Sequence, residues 1–330
     1  MNIKNISSDR SFFNKIKEID FEEAKKYDDL FNINIKSKFK LILKRFIINF
    51  LNFFFNLNLN YNNSRKIENV KNKYDDIAGS YIYKYEKDSK YLAYNHFEDK
   101  IYHINSRAID HPANLISKFC DHFDLKSVIE VGAGELTTLL PVVQKTKKIN
   151  FVSGLDLSFN RLKKGKEFFD KYGVNINHLV ACDASKLPYR DSSFDLVFSH
   201  YCIEQVPALA EKIINEMIRV ASKYIIFIEP TYEFSNASTR NKILVKGYPI
   251  LKRRHFTNNK SKIIYRDGLP FARYSTYAEL TILEKINKSD GNPVMCHPLN
   301  NKVIELNNNF ALCDGKKIKF ESGITDLTNL

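Results

Sequence analysis

The feature that most constrains the fold is a regular alternation of short apolar runs with helical patterns between residues 127 and 286. Runs of strand length cover residues 127–131, 150–156, 175–182, 194–200, 224–229, 262–266 and 278–286. Helical patterns cover residues 136–146, 158–172 and 207–222. Strands that alternate with helices build a parallel sheet with helices on both faces. The pattern therefore predicts an α/β fold around a mostly parallel sheet of seven strands.

The first of these strands runs directly into a glycine-bearing turn, Gly132-Ala133-Gly134. Glycines let the backbone approach a ligand closely, and the following helix offers free N–H groups at its positive end. Asp156 ends the next strand, where a carboxylate can accept both hydroxyls of a ribose. An NAD enzyme would show the same two features, and a tight turn and a helix cap are the structural alternatives. Up to this point, the sequence indicates a nucleotide-type cofactor without choosing which.

A third motif separates the alternatives. Residues 183–201 have the sequence DASKLPYRDSSFDLVFSHY, and this segment follows the end of the third strand. With the two earlier motifs, it resembles the class I methyltransferases of the small-molecule type. Eight positions match that family in register: Asp183, Leu187, Pro188, Tyr189, Ser193, Phe194, Asp195 and Val197. The resemblance implies a Rossmann-like fold, S-adenosylmethionine as the cofactor, and methyl transfer as the reaction.

The resemblance also implies a role for each matching position. Asp156 would accept the ribose hydroxyls, Asp183 would bind the adenine amino group, and Glu130 would bind near the methionine amino group or order the turn. The implied cofactor-binding residues are Glu130, Gly132, Ala133, Gly134, Asp156, Leu157, Asp183, Ala184, Ser199 and His200. The chain departs from the family at Leu136, where a third glycine is frequent, and at Glu135, where a small residue is usual. A bulkier turn there would shift the methionine end of the cofactor.

Catalysis by such an enzyme needs little covalent chemistry from the protein. A sulfonium methyl is already activated, so the enzyme mainly holds a nucleophile in line with it and excludes water. A general base helps when the acceptor is a hydroxyl. The candidates are His200, Glu204 and, from the segment before the core, His111, with a purely structural histidine as the alternative. We expect no metal site, because the sequence has no His/Asp/Glu cluster with ligand spacing.

The positive charge of the chain lies in two segments. The net charge is +13, and residues 31–66 and 234–266 carry Lys and Arg but no Asp or Glu. This distribution predicts an anionic partner, either a membrane surface or a phosphate-bearing acceptor near residues 252–255. The alternative is a composition set by codon usage, since the chain is rich in Asn, Lys and Ile.

The sequence further predicts three units. Residues 1–73 form an N-terminal extension with a polar, weakly structured lead and a linker after residue 60. Its segment 38–59 is an amphipathic helix with a basic stripe, suited to a bilayer interface, to the protein's own core or to a partner subunit. Residues 74–287 form the methyltransferase domain, with a largely helical cap (74–126) and a core (127–287). Residues 288–330 resemble a degenerate zinc ribbon, metal-free because only Cys296 and Cys313 remain of its ligands.

The remaining expectations concern location and function. Five scattered cysteines without a C-x-x-C pair and a polar start without a secretory signal predict a cytoplasmic protein, with membrane contact limited to its inner face. The favoured activity is methylation, most simply O-methylation, of a small-molecule, sugar or lipid-linked acceptor. An RNA-modifying methyltransferase and a non-catalytic scaffold are the alternatives. Nucleic acid is not indicated, because no RNA-binding module is recognisable.

Overall fold

The computed structural model describes residues 2–13, 15–25, 43, 67–307 and 310–328. The predicted amphipathic helix at 38–59 lies outside these residues except at Leu43. Within the described part of the chain, every helix is too short or too polar to cross a bilayer.

The part before the core contains helices and a small antiparallel sheet. Its elements are α1 (Ile3–Ser7), β1 (Ile16–Ile19), α2 (Phe21–Lys25), α3 (Ile67–Asp76), α4 (Ser80–Lys87), β2 (Tyr91–Asn95), β3 (Lys100–Ile104) and α5 (Asp110–His122). The hairpin β2–β3 pairs with β1 on one side. On its other side it pairs with a two-residue strand that comes from much later in the chain.

The core alternates strands and helices as the sequence pattern predicts. It contains β4 (Ser127–Val131), α6 (Leu139–Lys145), β5 (Phe151–Asp156), α7 (Phe159–Lys171), β6 (His178–Ala181), β7 (Phe194–His200), α8 (Ala210–Val220), β8 (Ala221–Glu229), α9 (Ala237–Lys246), β9 (Ser261–Gly268), β10 (Ala272–Arg273) and β11 (Glu279–Lys285). The last part contributes β12 (Ile304–Leu306), β13 (Ala311–Cys313), β14 (Lys316–Ile318), β15 (Phe320–Glu321) and β16 (Ile324–Asp326).

The main sheet has the strand order β15-β16-β6-β5-β4-β7-β8-β11-β9. Its central strands are parallel, and β11 is antiparallel to both β8 and β9. Successive residues of β4 point to opposite faces, so Val128 joins one hydrophobic cluster and Ile129 the other. The prediction of a Rossmann-like, mostly parallel sheet with helices on both faces is confirmed. Its seven predicted strands are extended by two from the end of the chain.

The order of strands places a crevice at one edge of this sheet. The chain runs outward from β4 through β5 to β6 and then returns to the other side of β4 with β7. At such a reversal the loops after neighbouring strands diverge, and they leave an opening at the carboxyl ends of the strands. The glycine-bearing turn and Asp156 both follow strands that border this opening.

Three local expectations differ from the structure. The described part of the lead, residues 2–13 and 15–25, is not weakly structured, because β1 pairs with β3, and Phe13 and Ile19 are buried. The cap is not helical throughout, because the alternating segments YLAYN and KIYHI form the hairpin β2–β3. The predicted linker is helical from Ile67 onward, as part of α3.

The tail, predicted as a separate unit from residue 288 onward, packs in part against the core. Its strands β12, β13 and β14 form a small sheet, but β16 pairs in parallel with β6 and so extends the main sheet. An edge strand with unpaired N–H and C=O groups favours such an addition. Among the described residues, no group of three or more potential metal ligands is present.

Candidate functional site

A cavity of about 750 Å³ lies at the carboxyl ends of β4, β5, β6 and β7. Its size is within the range of roughly 300–1,000 Å³ that small-molecule sites occupy. The walls come from the turn after β4, the ends of the neighbouring strands, α3 and α4, α9, and the segment around β10. Residues far apart in the sequence therefore meet around one opening.

The turn after β4 is held in a backbone conformation that favours glycine. Gly132 and Gly134 have φ values of +77° and +53°, and Leu136 follows at +60°. The N–H groups of Gly132 and Ala133 both donate to the Leu155 carbonyl at 2.8 Å. The turn is thus tied to the end of β5, where Asp156 stands.

Asp156 connects the turn after β4 to the segment that begins α7. Its Oδ2 accepts the Gly134 N–H at 2.8 Å, and its Oδ1 accepts the Ser158 N–H at 2.8 Å. The side chain is buried but lines the cavity. Each carboxylate oxygen can accept more than one hydrogen bond, so the group can still receive hydroxyl donors from a ligand.

Arg161 covers the second glycine of the turn. A Cβ placed on Gly134 would lie 2.2 Å from Nη2 and 2.4 Å from Cζ of Arg161. The guanidinium therefore occupies the cavity wall at this point, and Gly134 itself does not contribute to the wall. Sequence reasoning missed Arg161, although a base five residues after Asp156 on the first turn of α7 was a visible signal.

Glu130 and His200, two of the predicted site residues, both line the cavity. Burial raises the pKa of Glu130 well above its usual range, while Thr138 and the Leu139 backbone hydrogen-bond the carboxyl. Its Oε2 has no hydrogen-bond donor among the described residues. Burial lowers the pKa of His200 to about 3, and its Nδ1 lies 3.2 Å from the Thr138 hydroxyl. The cavity therefore contains an unsatisfied carboxyl oxygen and a neutral imidazole.

The segments that follow β6 and end β7 contribute differently to the cavity. Asp183, Ala184 and Leu157 line the cavity, and Asp183 accepts the Ser185 N–H at 2.8 Å. Ser199, in contrast, does not reach the cavity. Its hydroxyl donates to Glu229 at 2.8 Å, within the sheet.

Glu229 fixes the loop that carries the candidate bases. Besides Ser199, it accepts the N–H groups of Cys202 at 3.1 Å and Ile203 at 3.2 Å. Burial raises the pKa of Glu229 to about 7. Glu204, immediately after this loop segment, is buried and lines the cavity, and it accepts a hydrogen bond from Gln205 at 2.5 Å. Residues 229–233 do not line the cavity, and Glu229 lies beneath the loop.

Two sequence expectations for the acceptor side are wrong in their details. His111 is fully buried, with Nε2 2.8 Å from the Ser7 carbonyl, and it does not reach the cavity. Residues 252–255 do not line the cavity either. The same acid-free segment reaches the site earlier, through Lys242, Lys246 and Tyr248. The helical spacing of the two lysines, four residues apart on α9, places both on one face.

Comparison with known proteins gives the family of the core. Residues 129–227 match the family described as a methyltransferase domain. These residues are a methyltransferase domain. The matched segment contains the turn after β4, Asp156, Asp183 and the loop with His200 and Glu204.

Individual relatives of the methyltransferase domain are distant. The chain is 27% identical over 103 residues to the sterol 4-C-methyltransferase strm-1 of Caenorhabditis elegans, covering 30% of each protein. It is 30% identical over 94 residues to the demethylmenaquinone methyltransferase of Listeria monocytogenes, covering 28% of this chain and 39% of that protein. The chain thus spans about a third of the length of these curated relatives. A solved structure of magnesium protoporphyrin IX methyltransferase from Synechocystis PCC 6803, with bound SAH, is similar with a TM-score of 0.44 and 13% identity, over 54% of this chain and 85% of that one.

The structure brings most of the predicted site residues together around one cavity. Those that line it are Glu130, Gly132, Ala133, Asp156, Leu157, Asp183, Ala184, His200 and Glu204. Gly134 and Ser199 lie behind the wall. The sequence analysis did not identify Tyr74, Tyr81 and Arg161, which line the same cavity.

Proposed function

We propose that the protein transfers a methyl group from S-adenosylmethionine to a small-molecule acceptor, and that the acceptor atom is a hydroxyl oxygen. One observation supports this most strongly. Three acids at the ends of three successive strands, Glu130, Asp156 and Asp183, meet in one cavity of a methyltransferase domain. Their spacing along the sheet suits a long ligand with an amine, a ribose and an adenine.

The residues present fit this cofactor. The unsatisfied Oε2 of Glu130 suits an ammonium group, which would also favour the ionised form of the carboxyl. Asp156 has acceptor capacity left for ribose hydroxyls, and Asp183 suits an exocyclic amine. When bound, the cofactor supplies an electrophilic methyl on a sulfonium. The protein's part is to hold an acceptor in line with it and to exclude water.

In this proposal, Glu204 is the base that removes a proton from the acceptor. Glu204 and His200 both line the cavity beyond the strand β7 exit. His200 has a pKa of about 3, so its burial strongly disfavours the imidazolium that a base must become. We therefore assign His200 to positioning through Thr138 and assign proton acceptance to the Glu204 carboxylate.

We further propose that the acceptor is anionic, with its charge held near α9. Lysines and arginines outnumber acids among the described residues that line the cavity. Lys242 and Lys246 come from the acid-free segment that the sequence associated with a phosphate-bearing acceptor. The matched control is the exposed pair Arg253 and Arg254, which belongs to the same segment but lies away from the cavity. K242A/K246A should raise the KM for an anionic acceptor, and R253A/R254A should not.

Cofactor binding is the first test of this function. We expect calorimetric titration to detect S-adenosylhomocysteine at micromolar affinity and to detect no binding of NAD. Asp156→Asn should weaken binding because one oxygen becomes a donor that faces an N–H group. Asp170→Asn is the control, because Asp170 is exposed on α7 and, among the described residues, its side chain pairs only with Lys166. Absence of binding in the unmodified protein would overturn the proposal and favour a scaffold.

We also propose a cytoplasmic protein whose segment 38–59 contacts an anionic membrane surface. The proposal rests on the sequence alone, through the basic stripe with Lys40, Lys44 and Arg45. Co-sedimentation with vesicles of phosphatidylglycerol should decrease strongly in K40A/K44A/R45A. Equal sedimentation of both proteins would remove the membrane from the proposal.

A further inference from the structure

The helix that covers the cofactor end of the cavity has an unusual start. Helix α4 begins after Gly79, which has a φ of +97° and no side chain to cap the helix. The first N–H groups of a helix have no partner within the helix. Here the N–H groups of Tyr81 and Ile82 donate to Oε2 of Glu135, at 3.0 Å and 2.8 Å.

Glu135 acts from a distant part of the chain. It belongs to the turn after β4, more than fifty residues from the helix that it caps, and it is fully buried. A carboxylate is a stronger cap than a neutral group, because both its charge and the helix dipole contribute. Glu135 therefore links helix α4 to the turn after β4. This link gives a physical reason for a glutamate at a position where the resembled family usually has a small residue.

Arg161 completes the link from the other side. Its Nε lies 3.6 Å from Oε1 of Glu135, and its Nη1 lies 3.8 Å from Oδ2 of Asp156. The guanidinium also lies against the rings of Tyr74 and Tyr81, with centroids at 4.9 Å and 4.6 Å. With 11% of its side chain exposed, Arg161 has little freedom to leave. Its Nε has no hydrogen-bond acceptor among the described residues and lies in the cavity wall.

We propose that Glu135 and Arg161 form a latch that holds residues 74–87 over the cofactor end of the cavity. The latch connects three parts whose relative positions shape the cavity: the covering helices, the turn after β4, and Asp156. Both residues are positioning residues, and they act on the cofactor by controlling whether the cover is closed. The proposal rests on the proposed function only for the identity of the cofactor, because the closure of α4 can be measured without any ligand.

The first experiment is hydrogen–deuterium exchange on the ligand-free, full-length protein. Glu135→Ala should increase exchange in peptides that contain Tyr81 and Ile82, because both amides lose their acceptor. We expect about tenfold faster exchange there, which corresponds to about 1.4 kcal/mol of opening free energy. Glu135→Gln keeps an oxygen acceptor and should give a smaller increase, which keeps the test informative if the alanine variant does not fold.

The matched control removes a second tether of the same helix. Lys171 on α7 pairs with Glu86 on α4 at 2.6 Å, but at an exposed position. Exposed ion pairs contribute little, so Lys171→Ala should leave exchange of α4 unchanged. Equal exchange in wild type, the two Glu135 variants and Lys171→Ala would overturn the latch, whatever the function of the protein.

The second experiment measures the dissociation rate of S-adenosylhomocysteine. Glu135→Ala and Arg161→Met should both release it faster, by about tenfold, and the double variant should add little because the two residues act as one unit. A wild type that binds no S-adenosylhomocysteine would refute the proposed function but would leave the exchange result to decide the latch. Faster exchange with an unchanged dissociation rate would restrict Glu135 to a structural cap and would overturn its role in cofactor retention.

Discussion

Replacement of Gly134 by alanine tests the site most directly, because two separable costs act at this position. The first cost is backbone strain, since Gly134 has a φ of +53°. A left-handed conformation costs a non-glycine residue roughly 1–2 kcal/mol. The second cost is steric, since the new Cβ would lie 2.2 Å from Nη2 of Arg161. An exposed arginine would move away, but this one is enclosed between Tyr74, Tyr81 and two carboxylates.

The second cost can be estimated from the contacts that Arg161 would lose. Each cation–π contact contributes about 0.5–2 kcal/mol, the larger value applying to desolvated sites. Displacement of the guanidinium also leaves Asp156 and Glu135 without their nearby cation. We therefore expect Gly134→Ala to lower the free energy of unfolding by about 3 kcal/mol, from strain and displacement together.

A matched glycine separates the two costs. Gly173 also has a positive φ, +65°, but a Cβ there would meet no atom within 4 Å. Gly173→Ala should therefore show the strain alone, about 1–2 kcal/mol. Denaturant unfolding of both variants measures the difference. In an Arg161→Ala background, the cost of Gly134→Ala should fall to that of Gly173→Ala. Equal destabilisation by both alanines in the unmodified protein would refute the position we give to Arg161.

Further predictions follow from the same contacts. Asp156→Asn should weaken S-adenosylhomocysteine binding by at least about tenfold in calorimetry, since a charge-assisted hydrogen bond contributes about 1.5–3 kcal/mol, and unchanged affinity would contradict its role. Glu204→Gln should lower kcat by about 10²–10⁴ with cofactor affinity unchanged, in a methyl-transfer assay. Burial raises the pKa of Glu229 from 4.5 to about 7, so the folded state binds the proton more tightly than the unfolded state. Stability should then fall by about 3 kcal/mol as the pH rises from 4.5 to 7, and Glu229→Gln should remove this dependence in pH-resolved unfolding.

Local patterns were sufficient for the core of the fold. Strand and helix periods are properties of short segments, so β4 to β8 and the helices between them were predicted close to their observed bounds. Acids at strand ends could be assigned to one cavity for the same reason, because parallel strands end at one edge of a sheet. Asp156, Asp183 and Glu130 meet there as the sequence indicates.

Contacts between distant segments could not be predicted in this way. Strand β16 joins the main sheet by pairing with the edge of β6, which lies far from it in the sequence. Ser199 follows the strand period into the sheet and bonds Glu229, rather than facing the cavity. Lys242 and Lys246, not residues 252–255, reach the opening because the path of α9 determines which part of the basic segment faces it.

The turn after β4 shows both contributions in five residues. The sequence by itself determined that Gly132 and Gly134 follow a strand and that a ligand-binding turn is expected there, because the need for a positive φ is local. Only the tertiary structure decided what Glu135 does, because its partners are the N–H groups of Tyr81 and Ile82 on a separate helix. A side chain's hydrogen-bond partners depend on which segments pack together, and no local pattern contains that information.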